Sequence, residues 1–195
     1  RKKTYMLSNT FEEENFKLTF PKFTSQKTAK QIVKPANHEQ IIEEINFLKE
    51  GDYQLLQSKN YKVFLVTAEK IPNILHEIGR LREITFREVG EGTNEAIDLD
   101  KYDQYYHHMF LWDATAQQIA GAYRMGLGSH IYASHGIDGF YLQELFRFES
   151  ELFPMMSQSI EMGRAFIISE YQQKPMPLFL LWKGIVHVTL RYPEH

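Results

Sequence analysis

The sequence predicts an α/β fold, a mixed and mainly antiparallel sheet flanked by helices. Three observations carry this. Helix-periodic and strand-like segments follow one another in the order helix, strand, helix, hairpin, strand, helix. Residues 61–68 form a nearly continuous apolar run, the mark of a strand covered on both faces. Residues 105–113 and 119–127 are strand-like, with 114–117 as the turn between them, so they pair as an antiparallel hairpin.

Taken in order, residues 1–36 are weakly patterned and read as an N-terminal arm or linker to a domain spanning 37–195. Phe16, Leu18 and Phe20 alternate until Pro21 interrupts, which suggests an edge strand. A helix follows. Asn37 can cap it, with Gln40 three residues on, and Ile41, Ile42, Ile45 and Leu48 make its apolar stripe. Gly51 suits its end. After the 61–68 strand, Asn73 is the expected cap of a second helix, with Ile74, Ile78, Leu81 and Thr85 on one face. Arg80, Arg82, Glu83, Arg87 and Glu88 are its charged positions. Gly90 and Gly92 end it in a loop expected to be flexible, and that loop carries Asp98, Asp100 and Asp103.

Beyond the hairpin, Phe140, Leu142, Leu145 and Phe146 suit either strand or helix, and Pro154 belongs in a short helix or turn. Residues 160–168 read as a buried strand. A polar loop stiffened by Pro175 and Pro177 then leads into an apolar helix over 178–190. Leu178, Leu181, Trp182, Ile185 and Val188 are expected to pack it on the sheet.

Bulk composition removes several function classes. The 195 residues suit one domain of ordinary size. With 22 basic and 25 acidic residues, the net charge of −3 gives no global nucleic-acid footprint. The absence of cysteine rules out a disulfide framework, a thiolate nucleophile and a thiolate metal site. No apolar run approaches the ~20 residues of a membrane helix, and no signal peptide is visible. The chain begins at Arg1 rather than Met and runs off at 191–195, which reads as a piece of a longer chain cut at its C-terminus.

The candidate site comes from charge in the wrong place. The stretch 161–168 opens on Glu161 and Arg164 and ends apolar and β-branched. Charged groups beside a core need partners. Arg82, the aspartates of 98–103 and Arg124 are the groups expected to meet them in one cleft. Other signals are weaker. His107 and His108 are adjacent on a strand and face opposite sides, so no metal role is assigned. Asp98-x-Asp100 lacks the further acid and glycine of a calcium loop. Phe146, Phe148, Phe153, Met155 and Met156 would line an acyl tunnel or fill core. Trp112 and Trp182 read as core, and Lys174 and Lys183 would meet an acidic carrier.

These residues carry a resemblance. Leu81-Arg82-Glu83-Ile84-Thr85-Phe86-Arg87 is followed by Asp98-x-Asp100-x-x-Asp103, Gly121-Ala122-Tyr123-Arg124, Glu161-x-Gly163-Arg164 and Leu180-Leu181-Trp182-Lys183-Gly184-Ile185. That order and spacing, over roughly 60–190, resembles the GNAT-fold N-acyltransferases that make ornithine and glycine lipids. It is closest to the hemolysin-named proteins of Bacteroidetes type, and acyl-homoserine lactone synthases share a sparser version. The resemblance implies a bacterial acyltransferase of aminolipid biosynthesis. A long-chain acyl group would pass from acyl carrier protein, less readily from acyl-CoA, to the amine of a small amino acid. It also implies no permanently bound cofactor. The implied location is cytoplasmic, at the inner-membrane surface through the full-length chain. Residues 171–177, where acetyl-CoA-using relatives place a glycine-rich pyrophosphate loop, hold no glycine, which favours the carrier protein.

Under that resemblance the chemistry assigns roles. An α-amino group titrates near ~8, so a base speeds attack on the thioester. Glu161 is that base. Backbone N–H groups of 163–165 polarise the carbonyl. Arg164 holds the acceptor's carboxylate by a bidentate contact. Asp100 and Asp103 hold its ammonium or position the loop, and Arg82 and Arg124 complete the substrate-binding set by locking those aspartates. An Arg82–Asp103 pair can equally serve only to pin a loop to a helix. Two other readings compete: a non-catalytic domain binding lipid or carrier protein within a larger phospholipid acyltransferase, and a directly lytic toxin. The toxin has no long amphipathic or membrane-spanning segment behind it.

Overall fold

The computed structural model describes residues 28–195. The suggested edge strand at 16–20 lies outside the described residues. The elements are α1 (His38–Glu50), β1 (Gln54–Ser58), β2 (Tyr61–Thr67), α2 (Pro72–Glu88), β3 (His107–Asp113), β4 (Gln118–Leu127), α3 (Gly128–His135), α4 (Phe153–Ser157), β5 (Ile160–Ile167), α5 (Ser169–Gln172) and α6 (Pro175–Arg191). The strands form one sheet in sequence order, β1-β2-β3-β4-β5. The α/β class and the mainly antiparallel sheet are as the sequence predicts, and every pairing among the described residues is antiparallel.

Local sequence explains most elements. Asn37 caps α1, its side chain accepting from the Glu39 and Gln40 N–H groups, and Ile41, Ile45 and Leu48 are buried. α1 ends at Gly51, whose backbone is extended, and a Cβ there would meet the Tyr53 ring at 2.4 Å. In β2, Val63, Phe64, Leu65 and Val66 are all buried, as a strand covered on both faces requires. The β3–β4 turn is held by Asp113, whose Oδ1 accepts from the Thr115 and Ala116 N–H groups at 2.9 and 3.1 Å.

Four expectations need correction. Asn73 does not cap α2; the helix starts at Pro72, and Glu44 of α1 caps it from outside. Glu44 accepts from the Asn73 and Ile74 N–H groups at 2.9 and 2.8 Å. The loop after α2 is fastened rather than flexible. Glu83 is wholly buried and accepts from the Thr93 N–H at 3.0 Å and the Thr93 hydroxyl at 2.6 Å, while Asp98 N–H donates to Gly79 O. The 160–168 strand is β5, bonded among the described residues only to β4, and it is partly exposed rather than buried. Finally, α6 is turned about its axis from the expected face. Leu180, Leu181, Gly184 and Val188 are buried, whereas Leu178 and Trp182 are exposed. Apolar residues surround this helix, so pattern alone cannot choose a face. The choice falls on Gly184, where a Cβ would meet the Met109 sulfur at 2.8 Å.

α2 and the 98–106 loop cover one sheet face and α6 the other. Strand register fixes which side chains point where: His108 pairs with Arg124 and Arg124 with Gly163, all on the α2 face. Tyr123, Met125 and Met162 point to the α6 face.

Candidate active site

The charged residues singled out in the sequence converge. Arg82 of α2 donates from Nε to Asp98 Oδ2 at 3.0 Å, and from Nη1 and Nη2 to the two oxygens of Asp103 at 3.1 and 2.8 Å. It also donates to the Asp98 carbonyl. Arg124 of β4 donates from Nη1 to Asp100 Oδ1 at 2.6 Å and lies 3.4 Å from Asp103 Oδ2. The two loop acids form a reciprocal cap: Asp103 Oδ2 accepts the Asp100 N–H at 2.8 Å, and Asp100 Oδ1 accepts the Tyr102 and Asp103 N–H groups. Arg82, Arg124, Asp98 and Asp103 are all buried. Around Arg124 stand the rings of Tyr102, Tyr106 and Tyr141, with centroids 5.5, 5.2 and 5.1 Å from the guanidinium carbon.

Electrostatics follow from this packing. Burial pushes the Asp98 carboxyl up, and Arg82 and Arg164 offset only part of that. For Asp103 burial is again the largest influence, yet the hydrogen bonds and charge of Arg82, with Arg124, overcome it and hold the carboxyl below its ordinary value. Burial pushes His108 down, and its ring Nε2 donates to the Asp103 carbonyl at 2.8 Å. Burial and the Asp100 and Asp103 charges act in opposite senses on Arg124, and the charges prevail, raising its pKa.

Arg164 differs from the other two arginines. It sits at φ +51°, in a bulge where β5 gains one residue between the Arg124–Gly163 and Ala122–Phe166 pairs. Its Nη2 is 3.8 Å from Asp98 Oδ1 and 3.7 Å from Asp100 Oδ2, too far for hydrogen bonds. Its Nε is buried with no hydrogen-bond partner among the described residues, and the side chain is 23% exposed. A left-handed, under-bonded arginine beside a satisfied ionic cluster is a strained feature of the kind found at binding sites.

Glu161 is nearly buried and heavily engaged. Oε1 accepts the Leu142 N–H at 2.9 Å, and Oε2 accepts the Tyr141 N–H at 3.1 Å and the Tyr106 hydroxyl. Burial and this bond to Glu161 push the Tyr106 phenol far up. The acid thus pins the turn at Tyr141–Glu144 over the cluster, and the Tyr141 ring lies 5.5 Å from the Arg164 guanidinium carbon. The reading of sequence missed the tyrosine wall and the Glu161-to-backbone clasp. Tyr102, Tyr105 and Tyr106 were visible as a cluster beside the aspartates; the clasp has no sequence signal.

An apolar cavity of about 290 Å³ adjoins the bulge, among Phe86, Tyr123, Ala165, Phe166, Leu178 and Leu181. On the other side Gly163 faces open space, since a Cβ there would meet no atom within 4 Å. A larger cavity of about 500 Å³ lies by the β3–β4 turn, between α1 and α2 and away from the cluster. The set read as either tunnel or core does not line the apolar cavity: Phe146 and Met155 are exposed, while Met156 is buried in a small separate core with Tyr102 and Phe140. Among the described residues no group of histidines and acids could hold a metal ion.

A five-stranded sheet with a bulged edge strand, an ionic cluster on one side of the bulge and an apolar cavity on the other defines an acyltransferase architecture. Residues 81–182 match the acetyltransferase (GNAT) domain family, and the chain belongs to it. It is 30% identical over 175 residues to the glycine N(alpha)-acyltransferase of Bacteroides thetaiotaomicron, covering 84% of this chain and 51% of that protein. To the glycine N(alpha)-acyltransferase of Phocaeicola vulgatus it is 31% identical over 176 residues, covering 84% and 53%. The chain thus spans about half the length of the curated relatives it matches. No solved structure matches it significantly.

Proposed function

We propose that this domain transfers a long-chain acyl group from a carrier thioester to the amine of a small amino acid, with glycine the first candidate because both curated relatives are named for it. The observation that carries this reading is the position of Arg164. Its bulge separates the open space at Gly163 from the apolar cavity beyond Ala165. An acyl chain would lie in the cavity against the β5 edge. The acceptor would enter at Gly163, its carboxylate taken by the under-bonded Arg164 guanidinium.

Glu161 faces the same side as Gly163, two residues along β5. A carboxylate offers about four lone-pair sites, and three donors occupy Glu161. The remaining site accepts the amine proton, directly or through one water. The amine nitrogen then bonds the thioester carbon, the C–S bond breaks, and the thiol leaves with a proton. Backbone N–H groups around 163–165 receive the developing oxyanion. Arg82, Arg124, Asp100 and Asp103 serve the site by fixing its wall; their charges are spent largely on one another.

The first turn of α6 favours carrier protein over a nucleotide donor. Pro175 and Pro177 remove two N–H groups from the turn that would otherwise cradle a pyrophosphate. Such a donor places the reaction in the cytoplasm. The test is mass spectrometry of products from the full-length protein with long-chain acyl carrier protein or acyl-CoA and a panel of amino acids. An N-acyl product formed faster from the carrier protein, with one preferred amino acid, is expected. A folded protein that binds the carrier but yields no amide with any acceptor would instead favour the non-catalytic binding domain.

A further inference from the structure

The cavity of about 500 Å³ between α1 and α2 takes no part in the chemistry above. α2 lines it with Glu77, Arg80, Leu81, Ile84 and Glu88, one helix face at three- and four-residue steps. The floor is apolar, made by Trp112, Ile119 and Ile168, all buried. An apolar hollow of this size with a few polar groups is the usual form of a small-molecule site. Trp112 is only 2% exposed, yet its indole N–H has no hydrogen-bond partner among the described residues. Nor is that nitrogen sealed in, because the enclosed side-chain nitrogens and oxygens left without a partner among the described residues are Arg164 Nε and His195 Nδ1. The indole N–H therefore opens on the cavity that Trp112 lines, and a donor there calls for an acceptor.

The two ends of the cavity differ in charge. At one end Arg80 is spent on Glu77, donating from Nε and Nη2 to its two oxygens at 2.9 and 2.6 Å. At the other, roughly 12 Å along α2, stand Glu88 and Glu170. Neither has a cationic partner among the described residues, and Glu88 accepts only the Ser169 hydroxyl. Glu88 is also the last residue of α2, where the helix's own partial charge is negative and an acid is disfavoured. Two uncompensated carboxylates at a helix C-terminus are a place for a cation. We propose that this cavity binds a small organic ammonium ion with an apolar body and one oxygen acceptor. The ammonium lies between Glu88 and Glu170, the body packs on Ile84, Ile119 and Ile168, and the oxygen takes the Trp112 N–H. A phosphate or carboxylate is a poor occupant, since it would meet two acids while the one arginine of the lining is bonded to Glu77. The site is thus distinct from the Arg164 bulge, and the proposal does not rest on acyl transfer.

The experiment is isothermal titration calorimetry of the full-length protein with three probes of matched shape: tyramine, 2-phenylethylamine and 3-(4-hydroxyphenyl)propionate. Tyramine carries both the ammonium and the oxygen. The expected result is one tyramine bound per chain, with affinity that falls as salt is raised. 2-Phenylethylamine, which offers no oxygen to Trp112, should bind roughly threefold or more weakly. The propionate, which puts a carboxylate where the ammonium was, should give no saturable heat. A Glu88→Gln/Glu170→Gln double variant should bind tyramine at least tenfold less. Both positions are exposed, so its circular dichroism is expected to stay native. Trp112→Phe should bind tyramine and 2-phenylethylamine equally. Arg164→Gly, which alters the acceptor's place, should bind tyramine as wild type does. A folded protein that takes up no tyramine overturns the proposal, including one whose cavity is filled by another part of the chain. So does tyramine binding that survives the double variant, is matched by the propionate, or is lost with Arg164→Gly. Binding is read with no acyl donor present, so its failure is distinct from a failure of acyl transfer.

Discussion

Arg82 and Asp103 meet face to face in the interior, both guanidinium ends bonded to both carboxylate oxygens at 3.1 and 2.8 Å. The pair ties α2 to the loop that carries Asp98 and Asp100. Asp103→Ala leaves Arg82 buried and short of a partner, and removing one member of a buried pair costs about 3–5 kcal/mol. A matching fall in urea-unfolding free energy is expected. A loss below ~1 kcal/mol would mean the pair is not holding the loop.

Glu161→Gln keeps one acceptor oxygen and replaces the other by an NH2, which sets a donor against either the Leu142 N–H or the Tyr141 N–H. The turn at Tyr141–Glu144 should come loose. Hydrogen exchange at residues 141 and 142 should accelerate tenfold or more, while exchange in β2 and β3 stays slow. Unchanged exchange would remove the clasp from the account.

Burial and the neighbouring His130 push His107 down to about 4. Its unfolded value is near ~6.5, so between these values the unfolded chain binds the extra proton and folding weakens as pH falls. The shift corresponds to as much as roughly 3 kcal/mol. His107→Gln should flatten the stability profile between pH 4.5 and 7, measured by urea midpoints; an unaltered slope would contradict this assignment.

Asp103 has the opposite sign. Its native value is lowered, so its contribution is full above the unfolded carboxylate value near ~4 and fades as pH drops through the native one. Asp98, whose carboxyl is raised by burial, works against it. Asp98→Asn should therefore cost less stability at pH 7 than Asp103→Asn, by comparison of thermal midpoints.

Much of this site was legible because charge beside apolar sequence is self-announcing. Arg82, Arg124, Glu161 and Arg164 were marked by charge within or beside a helical or strand-like apolar pattern, and Asp100 and Asp103 by their place in the loop after α2; the fold brings the arginines and aspartates together and sets Glu161 behind the Tyr106 and Tyr141 rings. What the sequence hid was direction. α6 has apolar residues on more than one face, so Trp182 reads as core in the sequence, and Gly184 against Met109 sets the helix's turn. β1 escaped notice because Gln54–Ser58 is short and turns into β2 through Lys59 at φ +54° without a glycine. The external cap of α2 by Glu44 and the clasp on Glu161 join groups 29 and about 20 residues apart, which no local pattern encodes.

Arg164 should separate stability from activity. At φ +51° a glycine is the unstrained residue, so Arg164→Gly should leave the urea midpoint unchanged or raise it by up to ~1 kcal/mol in free energy.

The most direct test of the central claim is the single-turnover rate of amide formation by Arg164→Gly and wild-type full-length protein, with saturating long-chain acyl carrier protein and the amino acid preferred by the wild type. The account predicts at least a tenfold loss, relieved in part at high acceptor concentration, from a protein as stable as wild type. A variant that acylates at the wild-type rate would contradict the placement of the acceptor at Arg164, and with it the reading of the bulge as the junction between acceptor and acyl chain.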